Sequence, residues 1–273
     1  MEKDTIDFNK PTPNTTESLK ADLKKLGLEK DMNIVVHSSL SKLGWVCGGP
    51  VAVIGALQEL ISPGGTILMP AHTGELSEPS YWENPPVPES WWDTIRTSTP
   101  AFDKETTPTR AMGSIAETFR KNKNTLRSNH PHCSFSAWGR YSSYVTEGHS
   151  LDFPLGDDNP LSRLYDLDGH ILLLGVGFDR NTSLHLSEFR CKRLSVIKQG
   201  APIMEDGKRV WKTFDDIEDS PFNFNRIGEE FIAHGCCRTG RVGEAYVYLM
   251  KIRDLVNFGT HFMRENYFQN GEI

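Results

Sequence analysis

Between residues 33 and 69 the chain runs from a short apolar segment, NIVV, through a helix-forming stretch to a second apolar segment, TILM, and that order leaves few folds open. Pro50 suits a first helical turn, where its missing N–H costs nothing, and Val51, Ile54, Leu57 and Leu60 recur on one face of the helix it opens. PGG at 63–65 then turns the chain into the second strand. Strand, crossover helix and strand make a βαβ unit, which requires a parallel pair and a right-handed connection. The carboxyl ends of the two strands, at His37 and His72, therefore share one edge of a sheet. A further run at 171–176, ILLLGV, is apolar without alternation, as expected of a strand covered on both faces in an α/β protein.

The remaining pattern fits around that core. A polar arm, residues 1–15, carries Pro11 and Pro13 and precedes a helix over 16–26, with Leu19, Leu23 and Leu26 on one stripe and Gly27 as its stop. Residues 74–108 are rich in proline and aromatic side chains without a clear period, and such a stretch reads as the folded wall of a cleft. A helix is expected over 112–120, a strand over 134–138 and a short helix over 162–167. Alternation around MEDGKRV, with Asp206-Gly207 as its turn, predicts an antiparallel hairpin. Two helices, 227–234 and 242–263, are expected to finish the chain, with 238–243 between them. There is no internal repeat and no linker, so residues 16–273 read as one domain. The fold class is α/β, with a central parallel or mixed sheet, helices on its faces and an added antiparallel hairpin portion.

Composition narrows the partners. At 273 residues, 37% hydrophobic and 24% charged, the chain is ordinary for a globular protein, and its net charge of −6 argues against nucleic acid and mildly favours a cationic small molecule. No apolar segment follows MEKDTIDFNK and no run approaches the length of a membrane span, so no membrane association is expected and the cytoplasm is the default location. Five cysteines, odd in number and including the adjacent pair Cys236 and Cys237, read as reduced thiols without zinc spacing. The oligomeric state is open, a homo-oligomer included.

Two segments carry chemistry. After the buried strand, Asn181 or Thr182 caps a helix on which Thr182, His185 and Glu188 are spaced three apart. On one helix face the Glu188 carboxylate reaches one imidazole nitrogen of His185 and leaves the other to take a proton, as a general base requires. An H-x-x-E spacing alone is common on helix surfaces; its place beyond a strand's carboxyl end, where α/β sheets bind ligands, sets this one apart. The second segment, HSSLS at 37–41, leads from a strand towards a helix N-terminus, a setting that favours phosphate, or else it is a hydroxyl-rich turn capping its own backbone. It has neither the P-loop nor the GxGxxG pattern. Arg110, just before a helix start at Met112-Gly113-Ser114, offers the positive charge a diphosphate needs. His130 and His132, two apart, lack carboxylate or cysteine partners and make a poor ligand set, so no metal is expected. GDDNP at 156–160 reads as a helix-capping turn whose charges could also face an amine.

In order, VVHSSLSKLGWVCGG, ILMPAHT, TPTRAMGSIAE, RSNHPHCSFSAWG, LGDDNPLSRLYDLDGHILLLGVG and NTSLHLSE resemble the aminoglycoside 3-N-acetyltransferases, the antibiotic N-acetyltransferase family, over residues 16–263. The resemblance implies acetyl-CoA as donor and the 3-amino group of a 2-deoxystreptamine ring as acceptor. It places the coenzyme A phosphates on His37, Ser38 and Ser39, with Thr73 and the segment holding Arg110, Met112, Gly113 and Ser114 as further cofactor wall. It makes His185 the base, Glu188 its orienter and Thr182 the hydroxyl facing the tetrahedral oxyanion. Segments 74–108 and 205–219 would face the acceptor and match no drug-binding pattern. An enzyme of this fold could instead acetylate another small-molecule amine. The chain could also be a non-catalytic coenzyme A binding protein, against which the intact Thr182, His185 and Glu188 argue, or, more weakly, a metal hydrolase.

Overall fold

The computed structural model describes residues 12–219 and 221–266. Its first helix, α1 (Thr16–Leu26), is closed at one end by Thr15 and Ser18, which cap each other reciprocally, and at the other by Gly27 at φ 107, a left-handed conformation that glycine adopts without strain. Of the polar arm, residues 1–11 lie outside the described residues. Its end is docked: Asn14 is buried, and its side-chain amide donates to the Leu43 carbonyl at 2.7 Å.

The βαβ unit forms as expected from β1 (Asn33–Ser38), α2 (Gly49–Ile61) and β2 (Thr66–Pro70), with β1 parallel to β2 and Ile34 opposite Ile67. Then follow α3 (Trp92–Ser98), α4 (Gly113–Arg120), β3 (Leu126–Arg127), β4 (Phe135–Gly139), α5 (Ser142–Thr146), α6 (Pro160–Asp166) and β5 (His170–Leu174). Beyond β5 come α7 (Ser183–Cys191), the long strands β6 (Val196–Glu205) and β7 (Lys208–Ile217), α8 (Phe224–Ala233), β8 (Cys237–Val242), β9 (Ala245–Lys251) and α9 (Ile252–Asn266). Seven strands form one mixed sheet in the order β3-β4-β2-β1-β5-β9-β8. Its centre, β2-β1-β5, is parallel, and β4 and β9 flank it antiparallel.

Alternate residues of the three central strands enter two separate cores, which explains why these strands read as unbroken apolar runs. Ile34, Val36, Ile67, Met69, Leu172 and Leu174 join the layer holding α1, α2 and α4. Val35, Leu68, Ile171 and Leu173 face the other layer, with α6, α7, α8 and α9. The strand expected to run to Val176 stops at Leu174, because Gly175 turns the chain at φ 75.

The largest departure from the sequence expectation lies near the C-terminal end of the described residues. The helix expected over 242–263 begins only at Ile252; residues 245–251, AYVYLMK, are β9, which pairs antiparallel with β5, and most of the stretch read as a connection before it is β8. Alternating valine and tyrosine suit a pleated ladder, and the open edge of β5 supplies the hydrogen bonds. The hairpin β6–β7 forms as read, as a separate two-stranded sheet: Glu205 pairs with Lys208 across Asp206 and Gly207, at φ 50 and 74.

Segment 74–108 contains α3 and several single 3-10 turns, and it docks on the hairpin. Phe102 N–H donates to the Pro202 carbonyl at 2.9 Å and Arg209 Nε to the Thr99 carbonyl at 3.0 Å. Glu78 and Arg96 pair at 2.5 Å within it. Among the described residues no helix is long and apolar enough to cross a membrane.

Candidate active site

The carboxyl ends of β1, β2 and β5 meet at one edge of the sheet, as the parallel pairing dictates. β1 delivers His37 and Ser38 there, opposite Leu173 and Leu174 of β5, and Ser39 N–H donates to the Leu174 carbonyl at 2.9 Å. Beyond this edge lies a cavity of about 670 Å³ with three walls: residues 36–41 with 44–46, residues 111–114 with Pro70, and a third carrying Val176, Arg180 and Thr182. Gly49 and Gly113, the first residues of α2 and α4, both line it. α4 thus brings its first N–H groups and the positive end of its dipole to this space, a setting that suits an anion, whereas at α2 the Gly49 N–H is taken by the Val46 carbonyl at 3.0 Å and Pro50 has none, so that helix contributes its dipole alone.

His37, Ser38, Ser39, Met112, Gly113, Ser114 and Thr182 all come together on this cavity. Thr73 and Arg110 do not line it. Thr73 is buried behind the wall with its hydroxyl donated to the Pro131 carbonyl. Arg110 is fixed at the sheet edge through its backbone, its N–H donating to the His72 carbonyl at 2.8 Å, and its side chain is exposed. His37 is buried and its Nε2 has no partner among the described residues; burial, with the nearby His185 charge, pushes its pKa down to about 3. It is therefore a neutral hydrogen-bonding group near pH 7, not a cation. His72, at the end of β2, is likewise held neutral, its pKa lowered to about 3 by burial and by His185.

α7 begins where the third wall ends. Of the two candidate caps it is the Asn181 side chain that serves, its Oδ1 accepting from Ser183 N–H at 3.2 Å, while the Thr182 side chain makes no capping bond. One turn on, His185 Nδ1 and Glu188 Oε2 are 2.5 Å apart, with His185 42% exposed and Glu188 only 3%. Glu188 is held because α7 sits tightly on α9: Ser187 Oγ donates to the Val256 carbonyl at 3.1 Å, and a Cβ on Gly259 would fall 2.8 Å from that oxygen. Desolvation lowers the pKa of His185, but the Glu188 hydrogen bond and charge, joined by Asp216 and Asp219, outweigh it and leave it raised. The Phe224 ring packs edge-on against the imidazole at 5.0 Å.

Asp216 comes from the hairpin, on the strand face that also carries Phe214, whose ring lies 5.0 Å from that of His132. Burial raises its pKa to about 6, the Ile217 N–H bond and the His185 charge opposing. Among the described residues no lysine or arginine pairs with it, since Lys198 takes the neighbouring Asp215 at 2.5 Å. Sequence reading missed Asp216, the nearness of His72 to His185, and Arg180. Arg180 stands two residues before Thr182 and could have been noticed; nothing local marks Asp216.

The paired histidines are structural. His130 Nδ1 accepts from the N–H groups of His132 and Cys133 at 3.1 and 3.0 Å, so its Nε2 donates to the Leu151 carbonyl at 3.2 Å. His132 Nε2 donates to the Gly200 carbonyl of β6 at 3.0 Å and clasps the hairpin to the sheet. Among the described residues no group of histidine, cysteine and carboxylate side chains could hold a metal ion. In GDDNP, Asn159 caps α6 by accepting from Leu161 N–H at 2.6 Å, and Asp157 pairs with Arg190 at 2.8 Å.

An anion-receptive cavity with, close to it, an accessible imidazole that feels the charges of Glu188, Asp216 and Asp219 is the layout of a group-transfer cleft that receives an anionic donor and a cationic acceptor. A family model for aminoglycoside 3-N-acetyltransferase matches residues 35–264. The SPbeta prophage-derived aminoglycoside N(3')-acetyltransferase-like protein YokD of Bacillus subtilis is 45% identical over 94% of this chain and 95% of its own. Its crystal structure superposes with a TM-score of 0.95 at 43% identity, covering 98% of this chain and 99% of that one. Aminoglycoside N(3)-acetyltransferase VII of Streptomyces paromomycinus is 35% identical over 93% of this chain and 92% of its own. Two solved structures carry ligands: AAC-IIIb as a binary complex with CoASH (TM-score 0.82, 28% identity, 92% and 97% covered) and AAC-VIa bound to sisomicin (0.82, 27%, 93% and 99%). The chain belongs to the aminoglycoside 3-N-acetyltransferase family, a family of acyltransferases.

Proposed function

We propose that this protein transfers the acetyl group of acetyl-CoA to the 3-amino group of a 2-deoxystreptamine aminoglycoside, with His185 as general base. The observation that carries the reading is the His185–Glu188 pair at 2.5 Å, one turn beyond Thr182 on the wall of a cavity that two helix N-termini open onto. The CoASH complex of AAC-IIIb and the sisomicin complex of AAC-VIa support the choice of donor and acceptor class.

In this reading the serines 38 and 39 and the N-terminus of α4 hold the phosphates, the dipole of α2 adding to the field, and the thioester lies towards Thr182. Glu188 accepts from His185 Nδ1–H, which leaves Nε2 with its lone pair. Nε2 takes a proton from the acceptor ammonium, and the neutral amine attacks the thioester carbonyl. Thr182 Oγ donates to the developing oxyanion. That first proton passes from His185 to solvent; the attacking nitrogen, cationic once the C–N bond has formed, gives its second proton to Nε2, and as the tetrahedral species collapses the C–S bond breaks, the neutral amide forms and the proton on His185 goes to the leaving thiolate. Glu188 stabilises the imidazolium between these steps. Asp216 faces the arriving ammonium.

Thiol release from acetyl-CoA, measured against a panel of aminoglycosides and simple amines, tests the proposal. Turnover with 2-deoxystreptamine compounds and a product acetylated at the 3-amino group is expected. Turnover confined to other amines would make it a same-fold acetyltransferase for a different acceptor, and coenzyme A binding without turnover on any amine would make it a binding protein.

A further inference from the structure

We infer that Arg180 is the cation that binds the phosphate groups of the acetyl donor, across the cavity from the serine loop and the start of α4. The inference rests on the acetyl-CoA reading above and adds a residue to it. Arg180 is the one lysine or arginine among the described residues that line the cavity. The remaining lining groups near neutral pH are backbone N–H donors, hydroxyls, apolar side chains and the neutral His37. A donor bearing a diphosphate and a further phosphate brings several negative charges to a chain whose own net charge is −6, so local positive potential is needed to receive it.

The side chain is available for that task. It is 72% exposed, and its ion pair among the described residues is with its chain neighbour Asp179, Nε to Oδ2 at 3.2 Å. An exposed pair of this kind contributes little, and the two terminal guanidinium nitrogens remain to form a fork on a phosphate. Asp179 is itself steadied by Asn225, whose Oδ1 accepts the Asp179 N–H at 3.1 Å. The 3-10 turn Phe178–Arg180 ends directly before Asn181 and Thr182, so the guanidinium and the proposed oxyanion hydroxyl are carried by one short segment. A cation on this wall would repel a polycationic acceptor, which assigns Arg180 to the donor side of His185.

Steady-state kinetics of the full-length Arg180→Gln protein with three donors test this: acetyl-CoA, acetyl-dephospho-CoA and S-acetylpantetheine, which has no diphosphate. Loss of a charge-assisted fork should lower kcat/KM for acetyl-CoA about tenfold, chiefly through KM. The wild-type to variant ratio should stay near one for S-acetylpantetheine, and Arg180→Lys should recover part of the loss. A ratio that persists with the dephospho donor puts the guanidinium on the diphosphate, and one that disappears puts it on the 3′-phosphate; either supports the inference. An equal ratio for acetyl-CoA and S-acetylpantetheine, or no change with acetyl-CoA, overturns it. Calorimetry with coenzyme A separates the two levels: wild-type protein that fails to bind overturns the acetyl-CoA reading itself, whereas equal affinity of wild type and Arg180→Gln overturns only the role of Arg180.

Discussion

The two sides of His185 are built by different means. The cavity side is assembled from strand ends and helix starts, and its positive character comes from the backbone N–H groups of α4, the dipoles of α2 and α4 and, among the described residues, a single guanidinium, Arg180. The other takes its character from side-chain carboxylates: Asp216, brought in by a hairpin that is not part of the main sheet, and Asp219, in the segment that follows that hairpin. A field made of backbone dipoles follows from topology and is difficult to remove by substitution; a field made of carboxylates can be altered one residue at a time. Donor recognition should therefore be robust and acceptor recognition adjustable.

The largest expected effect falls on the group shared by both sides. His185→Ala should lower acetyl transfer by about 10² to 10⁴, the usual cost of removing a general base, while coenzyme A affinity measured by calorimetry stays close to wild type. Retention of more than a tenth of wild-type turnover would remove His185 from the role.

Next is Glu188→Gln, which keeps size and hydrogen bonding but loses the charge. A rate loss of about 10- to 100-fold is expected for removing a partner that orients a functional imidazole. His185 now titrates above its ordinary value because of Glu188, so the acidic limb of the pH–rate profile should move to lower pH in the variant. Acceptors of different amine basicity should show the same movement, and a limb that follows the acceptor instead would not belong to His185. Asp216→Asn should move the limb in the same direction by less, since Asp216 acts after Glu188 on the imidazole.

A smaller effect concerns stability, and it probes the clasp between sheet and hairpin. Burial lowers the pKa of His132 and His149 to about 4, and of His130 well below its ordinary value. In the unfolded chain each would take up a proton near pH 6.5, so stability is fully present above that pH and is lost as pH falls towards 4, by about 1.4 kcal/mol per pH unit per group. Asp216, raised to about 6, works in the opposite sense, because between pH 6 and 4 the folded state retains a proton that the unfolded state has released. Denaturant unfolding from pH 7 to 4.5 should show the net decline, and His149→Gln should flatten it. An unchanged slope in that variant would mean that the His149 ring, which donates to the Pro154 carbonyl at 2.8 Å, is not held neutral.

The same division governs what could be read in advance. The elements of the βαβ unit, the buried β5 and the His185–Glu188 contact rest on local patterns, and the structure shows each of them, with β5 ending two residues early at Leu174. β9 reads as helix from sequence because its seven residues run directly into the apolar stripe of α9, and only the edge that β5 offers decides between the two. Thr73 and Arg110 lie at the predicted edge, yet their placement there depends on partners 58 and 38 residues away, the Pro131 carbonyl that takes the Thr73 hydroxyl and the His72 carbonyl that takes the Arg110 backbone N–H. Asp216 lies on a different sheet from the strand that leads to His185, and docking of the hairpin through Gly200, Pro202 and Thr99 brings it there. No local pattern encodes that approach.

The central claim is that opposite fields divide the two substrates across His185, and a crossed measurement tests it most directly. KM for acetyl-CoA and KM for the best aminoglycoside acceptor should be determined for wild type, Arg180→Gln and Asp216→Asn at one low ionic strength. The account predicts that Arg180→Gln raises KM for acetyl-CoA and leaves that for the acceptor unchanged or lower, while Asp216→Asn raises KM for the acceptor and leaves that for acetyl-CoA unchanged. Both variants raising both constants alike would contradict it.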